Sequence, residues 1–122
     1  MKIDFQLLGT SVNPKDISRR TGIEPDVEFL RGERNAALNL PRQNVWSIES
    51  HSESDEVKAH WEQIHFKLNH SKEEIRKIAE TGTAKLSIVL PRSDRIPSLQ
   101  IPVEMSAFAT YVNAIIDIDH LQ

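Results

Sequence analysis

Residues Asp55–Gly82 read DEVKAHWEQIHFKLNHSKEEIRKIAETG, and the spacing in this stretch decides the fold. Val57, Trp61, Ile64 and Leu68 fall at i, i+4, i+7 and i+11. At about 3.6 residues per turn these four share one helical face. Trp61 carries the largest apolar surface of the set, so the core is expected to form against it. Asn69-His70-Ser71 interrupts, and Ser71 with Glu74 has the spacing of a capping box that opens a second, shorter helix. Ile75, Ile78 and Ala79 continue the buried side, and Gly82 suits a C′ stop.

Upstream, Ile3, Phe5 and Leu7 alternate with Lys2, Asp4 and Gln6, the pattern of a half-buried strand. Asn13 is placed to cap a short helix with Pro14 at N1 and Asp16 at N3. Val12 can staple onto Ile17, and Gly22 ends the helix. Residues 26–31 read as a second strand with Val27 and Phe29 inward. A long connection over 32–43 follows, with a short strand at Ala37–Leu40. Val45–Ser50 is a third strand with Trp46 and Ile48 inward.

Downstream, Ala84–Leu90 alternates with Leu86, Ile88 and Leu90 inward. Leu99, Ile101 and Val103 read as a short strand that Pro102 marks as an edge or strand end. Met105, Phe108, Ala109 and Val112 share a helical face that Asn113 ends in the left-handed conformation. Ile116 and Ile118 form a last strand, with Asp117 and Asp119 on its other face. The expected architecture is a single α+β domain over 1–122. It has a ferredoxin-like β-α-β-β-α-β core and a C-terminal β-α-β extension. A mostly antiparallel sheet carries helices on one face and leaves the other open.

The 122 residues suffice for one core without covalent staples. Hydrophobic residues at 39% and charged residues at 27% are those of an ordinary folded domain and argue against disorder. Cysteine is absent, which excludes disulfides, thiolate catalysis and thiolate-held zinc. No apolar run approaches the roughly 18 residues of a membrane span. The alternating N-terminus is not a signal sequence, so a cytoplasmic setting is expected. The net charge of −3 gives no general attraction to nucleic acid.

Several residue groups together resemble the bacterial domain-of-unknown-function family 4279. Near the start these are Phe5, Gly9, Asn13-Pro14 and Gly22-Ile23-Glu24-Pro25. Gly32, Trp46-Ser47 and the Trp61, Ile64, Leu68 helix follow. Ala107-Phe108-Ala109 and Ile116-Asp117-Ile118-Asp119 complete the set, and Asn113 stands where the family usually has glycine. The resemblance spans nearly the whole chain. It implies a fold and a bacterial setting, but no reaction and no catalytic residue.

His60, His65 and His70 are five residues apart, so each is rotated about 140° from the last. A helical metal site needs partners three or four apart, so these histidines are read as structural, and no metal or cofactor is expected. Asp117 and Asp119, with Glu49 or Asp4 beside them, could offer oxygen ligands to a hard cation, but solvated carboxylates are the simpler reading. Arg31, Arg34 and Arg42 bracket the long connection, and Arg92 and Arg95 sit in the later loop. If these loops converge they form an anion pocket. No nucleophile elbow or Ser-His-Asp set is visible. Phe66 lies about 170° from the Trp61 face, either covered by other segments or exposed as an interface residue.

Two functional readings stay open. One is a non-catalytic protein-binding module of immunity or antitoxin type, acting through a protein partner or self-association. The other is a small-ligand or anion-binding domain, or an enzyme, using the arginine-rich loops over the sheet.

Overall fold

Alternation along the strands fixes which side of the sheet meets the helices. In the computed structural model, which describes residues 1–92 and 98–121, β1 (Lys2–Leu8) has every second residue fully buried. Ile3, Phe5 and Leu7 of β1, Trp46 and Ile48 of β3 (Val45–Glu49), and Ala84, Leu86, Ile88 and Leu90 of β4 (Thr83–Leu90) belong to one core cluster. The helices supply the other half of it. Ile17 comes from α1 (Pro14–Thr21), Val57, Trp61, Ile64 and Leu68 from α2 (Val57–Leu68), and Ile75, Ile78 and Ala79 from α3 (Lys72–Ala79). Met105, Phe108, Ala109 and Val112 come from α4 (Val103–Val112). Trp61 is 2% exposed, stacked on His65 at 5.3 Å and packed on Phe108 at 5.4 Å. Phe108 in turn meets Phe5 edge-on at 5.8 Å, so one aromatic chain ties α2 and α4 to the central strand.

The described residues form one α+β unit with a five-stranded mixed sheet in the order β2-β3-β1-β4-β5, where β2 is Val27–Phe29 and β5 is Ala114–His120. The pairings β2–β3, β3–β1 and β1–β4 are antiparallel, and β4–β5 is parallel. The parallel pair requires a crossover, which α4 provides. A 3-10 turn at Asn69–Ser71 joins α2 to α3.

Most local signals act as expected. Asn13 caps α1, accepting from the Lys15 N–H at 3.0 Å. Gly22 and Asn113 both take left-handed conformations at helix ends, with φ of 71° and 58°.

Four expectations are corrected. Leu99–Val103 forms no strand: Pro102 is extended and caps α4, its carbonyl accepting from Met105 and Ser106. The extension is therefore α-β, not β-α-β. The strand expected at Ala37–Leu40 is a single bridge between Asn35 and Leu40. Ser71 makes no cap bond. Its hydroxyl donates to the Thr21 carbonyl, and Glu74 pairs with Arg20, so tertiary partners displace the capping box. Gly82 has no positive φ. A Cβ there would run into the Leu8 carbonyl oxygen, so glycine serves close approach rather than helix termination.

β2 is also turned over relative to expectation. Val27 stands opposite Ser47 and Phe29 opposite Val45, which puts both on the open face, while Glu28 stands opposite core-facing Trp46. The Ser18 hydroxyl makes this tolerable, donating to Glu28 and accepting from Trp46 Nε1 at 3.0 Å. A carboxylate on the core side is thus partnered at the sheet edge.

Candidate functional site

The sheet face away from the helices is a grid whose rows follow from register. One row runs Asp117, Ser87, Asp4, Glu49 across β5, β4, β1 and β3. The next runs Ile115, Lys85, Gln6, Ser47, Val27. Thr83, Leu8, Val45 and Phe29 make an apolar corner beyond it. Adjacent strands are about 4.8 Å apart, so carboxylates in one row face each other closely. Ser47 and Ser87 are buried between longer neighbours.

The electrostatics centre on Asp4. Its side chain is only 15% exposed. Burial pushes its carboxyl above the ordinary aspartate range, Lys2 pulls it back, and Glu49 pushes it up again. Lys2 Nζ lies 2.7 Å from Glu49 Oε2 and 3.9 Å from Asp4. The bond to Glu49 holds the ammonium above its ordinary range against the opposing effect of burial. Lys85 approaches Asp117 at 3.7 Å. Among the described residues, and with Asp26 and Asp119 included, five carboxylates on or beside this face meet two ammonium groups and, at its apolar corner, the Arg34 guanidinium over Phe29.

At its β3 end the row gathers Asp26, Glu49 and His51, one ligating atom of each lying within 4.8 Å of the others. The Glu49 N–H donates to Asp26 Oδ2 at 2.7 Å, and His51 Nε2 faces Asp26 Oδ1 at 3.4 Å. Lys2 already supplies positive charge here. Gln63 of α2 exchanges two hydrogen bonds with the His51 backbone, tying the back of α2 to this cluster. Phe66, three residues on and on the same helix side, is 80% exposed. An open groove of about 430 Å³ is lined by Gly22, Ile23, Glu24, Pro25, Asp26 and Lys67.

The arginines are spread over the molecule. Arg31 contacts Asn39 on its own connection, and the Arg34 guanidinium sits 5.1 Å from the Phe29 ring centre. Arg42 lies on the same connection, which leaves and rejoins the sheet at the Leu8 end of β1. Arg92 follows β4 at the Lys2 end. The seven residues of β1 separate the two ends by roughly 20 Å. Arg95 lies outside the described residues.

Asp26 sits just outside β2, and only the fold brings it to Glu49; His51 follows Glu49 by two residues, and that alternation spacing is the sequence signal that marks it. The fold also joins Ser50 and His60. Ser50 Oγ donates to His60 Nδ1 at 2.7 Å and accepts from the Ile3 N–H at 2.8 Å. His60 Nε2 donates to the Ser54 carbonyl at 2.7 Å. This neutral tautomer satisfies every group. With His60 at 0% and Ser50 at 5% exposure, and with a carbonyl where an orienting carboxylate would stand, the pair is structural.

Fold and face define the chain's class: a small α+β domain with one helix-covered sheet face and one open, acidic face. The family described as Domain of unknown function (DUF4279) matches residues 1–122, and the chain belongs to that family. Neither a curated protein nor a solved structure matches it. No helix among the described residues is long and apolar enough to cross a membrane.

Proposed function

We propose that this chain is a small cytosolic bacterial protein-binding module without catalysis, of immunity or antitoxin type, which holds a basic partner protein. The observation that supports it is the open sheet face, where among the described residues four strand carboxylates, with Asp26 beside them, outnumber Lys2 and Lys85. A patch of one sign steers and selects a partner of the other. Phe66, 80% exposed on the back of α2, adds an aromatic side chain of the kind interfaces favour. The same proposal takes β1 to β4 with α1 to α3 as a ferredoxin-like core, on the support of their chain order and the strand order β2-β3-β1-β4.

The test is calorimetric titration of the purified chain with the basic product of an adjoining gene. Submicromolar binding that weakens at least tenfold in Phe66→Glu or Asp119→Lys is the expected result, with thermal midpoints unchanged. No complex with any such product, together with inorganic phosphate binding lost in an Arg31→Ala/Arg34→Ala/Arg42→Ala variant, would replace the proposal with the anion-binding alternative.

A further inference from the structure

The sheet has two edges, and they are built differently. β2 is three residues long and is preceded by Pro25, the short, blunted edge that resists pairing. β5 runs seven residues in an unbroken parallel ladder to β4. It contains no proline, lysine or bulge, and among the described residues no strand pairs with its outer side. Among the described residues nothing pairs with the alternate backbone N–H and C=O groups along that side, the groups a further strand uses. Ile115 and Ile118 are 57% and 42% exposed and lie on opposite faces of the strand.

Charge decides what can pair there. A second copy added antiparallel about a two-fold axis at Asp117 sets that carboxylate against itself. An axis at Ile118 sets Asp117 against Asp119. Like charges directly opposite are destabilising, so these two registers are disfavoured for a second copy. The same two carboxylates, spaced two residues apart on one face, complement cations spaced two apart on an incoming strand. Ile116 and Ile118, on the other face of the strand, meet the apolar residues of such a segment.

We propose that β5 is a docking edge that takes an extended partner segment with alternating basic and apolar residues as a sixth strand. This rests on the protein-binding reading above and names the partner's recognised element. Main-chain bonds would supply affinity and the alternate side chains selectivity.

Four blocked seven-residue peptides test it against the isotopically labelled chain. The first alternates lysine and valine. The second replaces lysine by glutamate, the third has the first's composition in two blocks, and the fourth is the first with alternate amides N-methylated along its pairing edge. The expected result is binding of the first alone, with exchange of the outward β5 amides slowed at least tenfold. N-methylation or Asp119→Lys then weakens binding at least tenfold, at an unchanged thermal midpoint. Equal affinity for the N-methylated peptide, or protection confined to other strands, overturns the docking edge while leaving an acidic binding face intact. Failure of every basic peptide to bind counts against both.

Discussion

Trp61 and Phe66 sit five residues apart on α2 and offer a paired test of the fold, because one is 2% and the other 80% exposed. An aromatic side chain buries on the order of 200 Å². At about 25 cal/mol per Å² its removal forfeits about 5 kcal/mol, of which the remaining Cβ recovers some. Two losses specific to this site are added: the stack on His65 and the packing on Phe108. Trp61→Ala is therefore expected to destabilise by about 3–5 kcal/mol, the range for emptying a large core position. Phe66→Ala removes a ring that water already reaches and should stay within about 0.5 kcal/mol. Urea unfolding followed by far-UV circular dichroism measures both, with a common m-value confirming comparable unfolding. A Trp61→Ala loss below about 1 kcal/mol would refute the orientation of α2. A Phe66→Ala loss above about 1.5 kcal/mol would place that ring in the core and remove it from any interface.

Three further outcomes follow from single contacts. His60→Ala should cost about 3 kcal/mol in the same assay, since it opens a buried cavity and strips partners from Ser50 and the Ser54 carbonyl; a loss below about 1 kcal/mol would refute the network. Gly82→Ala should cost about 1–3 kcal/mol, because its methyl would press on the Leu8 carbonyl; an unchanged urea midpoint would contradict that approach. Asp4 holds its proton more tightly folded than unfolded, so stability should fall as pH rises from the ordinary aspartate range through its raised folded value. Asp4→Asn should remove this fall and Lys2→Met should deepen it, and urea midpoints between pH 3 and 7 that move alike in all three proteins would refute the coupling.

The parts of this fold legible in the sequence are those decided locally. Asn13-Pro14, Gly22 and Asn113 act within a few residues of themselves, and the caps form where their chemistry places them. The α2 stripe is legible for the same reason: four residues at helical spacing need one apolar surface to face. What was not legible depends on partners far along the chain. Ser71 had a capping partner three residues away, but the Thr21 carbonyl, fifty residues upstream, takes its hydroxyl. Val27 and Phe29 have the composition of core residues. Register with β3 and the Ser18 bond to Glu28 nevertheless turn them to the open face. Leu99, Ile101 and Val103 alternate like a strand, but Val103 begins a helix. In the candidate site, Asp117 and Asp119 could be placed on one face by alternation alone. Asp26 could not, since it lies outside the strands and far from Glu49 in sequence, whereas His51, two residues after Glu49, has the spacing that alternation uses.

Asp4 links these observations to function. It occupies the central strand, where a threonine or serine would keep the strand's alternation without a desolvated carboxylate. The fold instead buries most of an aspartate, sets Glu49 directly opposite, and brings Lys2 to within 3.9 Å. Desolvation is the larger influence and Lys2 the opposing one, so Lys2 offsets the strain of the arrangement without making it an optimum for stability. Sequences depart from local consistency most readily where a site needs them to. Here the departure lies in the row that leads through Ser87 to Asp117 and the open edge of β5. A basic strand docked there would bring its cations toward a row already short of them. Binding should then draw Asp4 back toward the ordinary aspartate range, visible as a downward shift in its carboxyl carbon titration when the alternating lysine peptide is added. An Asp4 titration unmoved by saturating peptide would separate the row from the edge and leave the buried carboxylate without this explanation.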